Sequence, residues 1–542
     1  MKSYIKTLIP AACFMLGLGM TSCVGDLDVE PIDERTDMTV DPIGLYNKCF
    51  ANMGQEGNAG ANGASDIDGI DGGTSAFVRQ IWNAQELTTD EAHCPWGDEG
   101  IPAFNHNQWG ASHPMLRGLY YRLYNCVTLC NHYLEVASDY DAQMTAEVRY
   151  ARALYYYYLI DGWGDVGFTT VAAGKAPEQQ SRATTWQWIM DELNDIEGQL
   201  SEAKPKTDGG VFAGGKSTGY GRPDKAAVWM LRTRMYLNAE VYIGKPMWAE
   251  AKAEAKKVID SAYKLNTQAT KNGWTAYQQL FMGDNGSNGA SVEAILPIMQ
   301  DGKMCTAWGC TMFLIGGTYK DDMIDGQFTA GNGTTENWQG NRARRDLVQK
   351  FFPNLDAPNV STADMQAAAG DDRALFWSID RTIEITNESK FEEGFSVTKF
   401  CNYYSDGSAA HSSQFPDTDF FLMRAAEAYL AFGEADARLN NNAASAEGIQ
   451  VLNQIRQRAH AATKANWTLS EIENEWSREF YFEGLRRTTL IRFGHFGGQN
   501  GYNWAWKGGV ANGANFDAHL NVFAFPNTDI AVNPNLKQNA GY

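Results

Sequence analysis

Apolar residues recur every three to four positions along several long stretches of this chain. In residues 113–138 the repeating apolar positions are Leu116, Leu119, Tyr120, Leu123, Tyr124, Val127, Cys130 and Leu134. This is the 3.6-residue period of a helix that buries one face. The same period predicts helices over residues 141–162, 183–203, 224–243, 247–264, 419–438, 443–461 and 468–490.

The predicted helices come in adjacent pairs in which small and large residues have different roles. In one pair, Ala226 and Ala251 allow the two helices to approach closely, whereas Trp229 fills the groove between pairs. This is the packing of tetratricopeptide (TPR) repeats, whose units are about 34 residues long. We therefore predict a mostly α fold in which TPR-like helix pairs form a scaffold. A plain helical bundle is the alternative.

Long stretches without a helical period separate the helix pairs. They cover residues 54–75, 92–112, 204–222, 267–345, 354–418 and 497–542. Structureless loops of this length are uncommon unless they are functional. We expect them to be ordered loop excursions on one side of the helical scaffold and to carry the chemistry of the protein.

The N-terminus has the features of a secretory signal. Lys2 and Lys6 form a positive region, and the apolar segment from Leu8 to Met20 is too short to span a bilayer. Thr21 and Ser22 then precede Cys23, an arrangement that resembles the lipobox of bacterial lipoproteins, although Met20 stands where Leu is usual.

The lipobox resemblance implies cleavage before Cys23 and diacylation of its thiol, and two acyl chains anchor a protein stably. The alternative is a free cysteine after an ordinary signal. We thus predict a signal peptide over residues 1–22, a lipidated acidic tether over 23–41, and a single helical domain over 42–542.

Charge and cysteine content narrow the function classes. The net charge of −20 and the lack of a basic patch argue against a nucleic-acid partner. Seven cysteines remain after Cys13 and Cys23 are set aside, and an odd number spread over a large chain is not a disulfide framework. Cys126 and Cys130 are interpreted as buried thiols. For Cys305 and Cys310, a local disulfide bridge is the alternative to two free thiols.

Several motifs match catalytic or metal-binding patterns without the context that they need. Residues 210–217 satisfy GxxxxGK[ST], but no buried strand precedes them, so we reject a P-loop. The eight histidines show no metal-ligand spacing.

The loop with Asp66, Asp68 and Asp71 lacks the downstream Glu of an EF-hand and is interpreted as a polar turn rather than a calcium site. The carboxylate pairs Asp90–Glu91 and Asp98–Glu99 are interpreted as solvated acidic loops rather than glycosidase residues. We predict no enzyme activity, no cofactor and no metal.

Tryptophans beside hydrogen-bonding residues are the strongest binding signal in the loops. Trp96 lies in HCPWGDEG, Trp308 in AWGC and Trp338 in TENWQGNRAR. Sugar rings have C–H-rich faces that stack on aromatic rings, and their hydroxyls need carboxylate, amide or guanidinium partners. The alternative is that each indole fills the core beneath a long loop.

Seven segments resemble the SusD/RagB-like outer-membrane lipoproteins of Bacteroidetes. Six of them are residues 146–168 (AEVRYARALYYYYLIDGWGDVGF), 221–237 (GRPDKAAVWMLRTRMYL), 420–437, 452–459, 479–494 and the terminal 525–542. Residues 72–114 are further similar to the starch-binding branch of that family. With the lipobox, this resemblance extends over nearly the whole chain.

The resemblance implies four TPR-like helix pairs under a shallow glycan site, without cleavage of the glycan. By family position, Trp96 belongs to an aromatic arc, with polar contacts from Arg79 and the Asp98–Glu99 loop. The other arc residues fall in loops that match the family poorly, so Trp308 and Trp338 are chosen as candidates without a family position. The implied partners are an oligo- or polysaccharide and a SusC-like TonB-dependent transporter, at the outer membrane and facing the cell exterior. We predict capture of a starch-type α-glucan. The alternatives are fructan or xylan, or a TPR-like scaffold that binds no sugar.

Overall fold

The computed structural model describes residues 40–209, 218–329 and 331–542. The signal, Cys23 and the tether up to residue 39 lie outside the described residues, and so does the P-loop-like stretch 210–217. Residues Pro42–Tyr542 form one compact unit. Among the described helices, none is both long and apolar enough to cross a membrane.

Helices dominate the structure, as the sequence predicts. In chain order α1 to α18 are Pro42–Ala51, Gly72–Ser75, Phe77–Trp82, Ile101–Asn105, Pro114–Val136, Ala142–Trp163, Arg182–Ile196, Lys225–Leu237, Ala239–Ile243, Trp248–Asp260, Thr311–Gly316, Arg345–Val348, Thr362–Ala369, Ala425–Leu439, Ala446–Arg458, Leu469–Phe480, Arg486–Arg492 and Asn527–Val532. Several of the longer helices begin with a side-chain N-cap. The capping residues are His113, Asp141, Ser181, Asp224, Ser445 and Thr468. Each cap satisfies a backbone N–H that the first turn leaves unpaired.

Successive long helices pack side by side, which confirms the predicted TPR-like scaffold. Helix α5 packs on α6, and α6 packs on α7. Helix α10 packs against both α8 and α14, and α14 also contacts α15. Small residues permit the close approach, since Ala226, Ala251, Ala255 and Ala426 are fully buried.

The structure corrects three of the predicted helix boundaries. The helix predicted over 224–243 is interrupted at Asn238, whose side-chain amide donates to the Arg234 carbonyl at 2.8 Å. The helix predicted over 468–490 ends at Phe480, because Phe482 and Gly484 adopt φ values of 65° and 80°. Residues Phe420–Arg424 form a strand, and the helix starts only at Ala425.

Short strands tie the loop excursions to the scaffold. In chain order β1 to β8 are Ala92–His93, Val166–Phe168, Glu178–Gln180, Ala294–Ile298, Arg342–Ala343, Phe376–Trp377, Phe395–Val397 and Phe420–Arg424. They form a four-stranded sheet in the order β1-β5-β7-β6, and the two pairs β2-β3 and β4-β8. All of the described pairings between these strands are antiparallel. In the part of the chain that the structure describes, the stretches 92–112, 267–345 and 354–418 are therefore joined by paired strands, in line with the expectation of ordered excursions.

The structure also shows the state of the cysteines and the partners of Asp66 and Asp71. The seven cysteines from Cys49 to Cys401 are free, so Cys305 and Cys310 do not form a bridge, and Cys126 and Cys130 are buried as predicted. Asp66 accepts from Lys48 Nζ at 2.6 Å, and Asp71 caps α2 by accepting from the Thr74 backbone N–H.

The interpretation of Asp90–Glu91 as a solvated loop is wrong. Both residues are at most 1 % exposed, and Asp90 pairs with Arg486 at 2.7 Å and with Lys350 at 2.8 Å. A carboxylate that is closed to solvent and held by two cations is a structural group.

Candidate glycan-binding site

The three candidate tryptophans lie next to one another. The ring centroids of Trp96 and Trp338 are 6.4 Å apart, and those of Trp338 and Trp308 are 5.9 Å apart. The planes of neighbouring rings are inclined by 54° and 49°, so the row is not flat. All three residues are partly exposed, so none is sealed inside the protein, and all three also pack against the hydrophobic core. We call this row, Trp96–Trp338–Trp308, the aromatic arc.

Strand pairing explains why residues so far apart in the chain meet here. Trp96 follows β1 and Trp338 precedes β5, and these two strands pair antiparallel with His93 opposite Arg342. The chain that leaves one strand is therefore adjacent to the chain that enters the other. The indole Nε1 of Trp96 donates to the Trp338 carbonyl at 3.2 Å, which fixes the two segments together.

Glycines beneath the arc allow the indoles to lie directly on the backbone. A Cβ on Gly340 would come 2.3 Å from Trp96 Cζ2, and one on Gly316 would come 3.0 Å from Trp338 Cδ2. The Trp338 N–H donates to the Gly316 carbonyl at 2.7 Å. A side chain at Gly340 would therefore displace the Trp96 ring, and one at Gly316 would press on Trp338 and on Met312.

Buried phenylalanines support the arc from behind. Phe313 lies 6.2 Å from Trp96 in an edge-to-face arrangement, and Phe415 lies 4.6 Å from Trp308, both measured between ring centroids. The two phenylalanines are 1 % and 7 % exposed. Aromatic pairs of this kind restrict ring motion, so the arc is a preorganised platform.

Arg79 places a cation beside the arc. Its guanidinium carbon is 5.9 Å from the Trp96 ring centroid and 5.2 Å from that of Phe313. Burial lowers the pKa of Arg79, while the charge of Asp98 opposes that shift. The guanidinium keeps its charge, since Arg is not deprotonated in proteins.

Asp98 and Glu99 follow Trp96 on an exposed loop, as the sequence predicts. Their carboxylates are open to solvent at the Trp96 end of the arc, where sugar hydroxyls could donate to them. The structure thus brings together Arg79, Trp96, Asp98, Trp308 and Trp338, and the sixth predicted residue, Glu99, follows Asp98 on the same exposed loop. The seventh, Cys23, lies outside the described residues.

The sequence reasoning missed the residues that hold the arc in shape. Phe313 of α11 contacts Trp96, Phe415 contacts Trp308 from a loop about 100 residues further along the chain, and Glu336 binds the indole of Trp338 two residues away. The sequence does contain one signal, the consecutive glycines Gly316 and Gly317 directly after the apolar run Met312–Ile315. Nothing local marks Phe415, which becomes a neighbour of Trp308 only by folding.

Comparisons with known proteins agree with the fold. A family model described as the SusD family matches residues 272–542. The starch-binding protein SusD of Bacteroides thetaiotaomicron is 38% identical over 578 residues, which cover 99% of each chain. A solved SusD-like protein from Bacteroides fragilis has a TM-score of 0.66 at 17% identity, covering 95% of this chain and 100% of that one. A surface glycan-binding protein A from Bacteroides thetaiotaomicron, in complex with laminarihexaose, has a TM-score of 0.63 at 16% identity over 92% and 98%.

The family model matches half of the chain, and the 38% identical relative is aligned over nearly all of it, so both matches show the family. The chain belongs to the SusD family, whose members are non-catalytic binding proteins with a TPR-like fold.

Proposed function

We propose that this protein captures a starch-type α-glucan on the aromatic arc at the outer surface of the cell. The carrying observation is the continuous row of three partly exposed indoles, Trp96, Trp338 and Trp308. The C–H-rich faces of consecutive sugar units stack on such rings. The carboxylates of Asp98 and Glu99 accept hydrogen bonds from the hydroxyls at one end.

One relative supports this choice of ligand, because the 38% identical protein is named a starch-binding protein. A protein of the same fold is in complex with laminarihexaose, a β-linked glucan, which supports a glycan site but not the α linkage. Because neighbouring indoles are inclined by about 50°, a curved glucan fits the row better than a flat ribbon. Fructan and xylan remain in the test as competing ligands.

Anchoring and delivery are the remaining parts of the proposal. The lipobox resemblance supports removal of residues 1–22, diacylation of Cys23 and a tether up to residue 41. The helical scaffold over 42–542 would then face a SusC-like TonB-dependent transporter, which receives the glycan from the arc.

Affinity electrophoresis in gels that contain one polysaccharide tests the binding step. We expect amylopectin to retard the wild-type protein, and Trp96→Ala to weaken binding at least tenfold, because one stacking platform of order 1.5 kcal/mol or more is lost. Trp248→Ala is the matched control, since Trp248 is also partly exposed but lies on α10 away from the arc.

Unfolding temperatures of both variants separate a binding role from a packing role. A large loss of stability in Trp96→Ala alone would assign that ring to packing. If no starch, fructan or xylan retards the wild type, the protein is a scaffold rather than a glycan-binding protein.

A further inference from the structure

The indole of the central tryptophan is held by an acidic side chain. Glu336 Oε2 accepts from Trp338 Nε1 at 2.8 Å. The second oxygen, Oε1, accepts from Gln414 Nε2, also at 2.8 Å. One carboxylate therefore connects the middle ring of the aromatic arc to a loop about 80 residues further along the chain. We call Glu336 and Gln414 the clamp.

The backbone around Glu336 is itself fixed. Its carbonyl accepts from Asn332 Nδ2 at 2.8 Å, and its N–H donates to Thr334 Oγ1 at 3.2 Å. The neighbouring Thr335 N–H donates to the Ser413 carbonyl at 2.7 Å. Because the backbone of Glu336 is fixed and each of its carboxylate oxygens accepts a hydrogen bond, the carboxylate holds the Trp338 ring in one orientation.

The partner loop supports a second ring of the arc. Gln414 is followed by Phe415, whose ring centroid is 4.6 Å from that of Trp308. The loop is tied down in turn by Asp417, which accepts from the Gly302 N–H at 2.8 Å. The clamp therefore joins the segment that carries Trp338 to the segment that supports Trp308.

We propose that Glu336 is a positioning residue of the glycan site, which sets the orientation of Trp338 and its spacing from Trp308 through the clamp. This inference rests on the proposed function. A hydrogen bond from an indole to an ionised carboxylate is stronger than one to a neutral acceptor. Its loss would release the ring that lies between the other two, so consecutive sugar units would no longer meet three correctly spaced platforms.

The test follows the indole N–H of Trp338 and the glycan affinity in the same full-length variants. The ¹⁵N-labelled indole resonance is assigned with Trp338→Phe. In Glu336→Ala we expect this resonance to shift and its exchange with solvent to accelerate. We expect amylopectin affinity to fall about tenfold, as for the loss of a hydrogen bond to a charged group.

Two further variants isolate the clamp. Glu336→Gln keeps an acceptor for Trp338 and, after rotation of the Gln414 amide, both bonds, so it should restore the resonance and most of the affinity. Asp321→Ala is the matched control, because it removes a carboxylate that accepts from Asn337, the residue next to Glu336, without touching the indole or the clamp. Both quantities should stay at wild-type values in that control.

The outcomes separate this inference from the proposed function. An unchanged Trp338 resonance in Glu336→Ala overturns the clamp, and a changed resonance with unchanged affinity overturns its role in positioning. A wild-type protein that binds no glycan overturns the proposed function and this role together. The indole resonance would then still report whether the hydrogen bond exists.

Discussion

Gly340 shows how the site depends on a single missing side chain. The Trp96 indole occupies the space where a Cβ of residue 340 would stand, with Cζ2 only 2.3 Å away. Real Cβ atoms do not approach other heavy atoms so closely, so the ring position and the glycine require each other.

Gly340→Ala is therefore expected to push the Trp96 ring away from Trp338. We expect a loss of about 1–3 kcal/mol in the free energy of unfolding, as for other overpacked sites, and a clear drop in glycan affinity. Urea unfolding and affinity electrophoresis measure the two effects. Gly326→Ala is the control, because nothing lies within 4 Å of a Cβ there. Equal affinities in the two variants would contradict the assignment of Trp96 to the site.

At the scale of elements, the periodic pattern predicts the scaffold well and its interruptions poorly. The helix predicted over 113–138 is observed as Pro114–Val136, because its apolar positions follow the helical period without a break. The strand Phe420–Arg424 was predicted as helix, since a short run buried on both sides has no distinguishing period. The break at Asn238 depends on its side-chain bond to Arg234, which the apolar pattern does not show.

Helix pairing makes a prediction of its own at Gly433. This residue lies in α14 where α15 approaches, and a Cβ there would come 2.5 Å from Leu452 Cδ2. Gly433→Ala gains helix propensity, but the overlap forces the two helices apart, and we expect a net loss of about 1–3 kcal/mol in thermal or urea unfolding. Gly198→Ala, with open space around the added methyl, should leave stability nearly unchanged. A stabilised Gly433→Ala variant would show that the helix pair is loosely packed.

At the scale of the whole molecule, the site is assembled from segments that only the complete fold brings together. The sequence identified Arg79, Trp96, Trp308 and Trp338 from loop composition and family resemblance, and the structure places them side by side. The same reasoning could not identify Phe415 or Glu336, because their roles depend on distances across more than 70 residues of chain. Residue type indicates which chemistry is available, whereas the tertiary structure decides which side chains are neighbours.

The fold also contains a largely buried ionic cluster that joins its C-terminal elements. Arg424, at the end of β8, pairs with Glu293 at 2.6 Å and with Glu479 of α16 at 2.7 Å. One helical turn before Glu479, Glu475 pairs with Arg373 at 2.8 Å and with Arg456 at 3.0 Å. Since such ions lose their hydration, the cluster is stable only while every carboxylate stays ionised.

Acid should therefore destabilise the protein through this cluster. Burial would raise the pKa of Glu475, but Arg373, Arg478 and Arg456 outweigh it, and the pKa falls to about 2. Because the folded pKa lies below the unfolded value of about 4.3, the stabilisation is fully present above pH ~4.3 and is lost as the pH falls toward 2. We expect about 3 kcal/mol of the free energy of unfolding to disappear over that range, measured by urea unfolding at a series of pH values.

Glu475→Gln should be less stable at pH 7 and lose less stability in acid, whereas Glu202→Gln, at a side chain 83% exposed, should follow the wild-type curve. An identical acid slope in Glu475→Gln would show that this carboxylate does not carry the pH dependence.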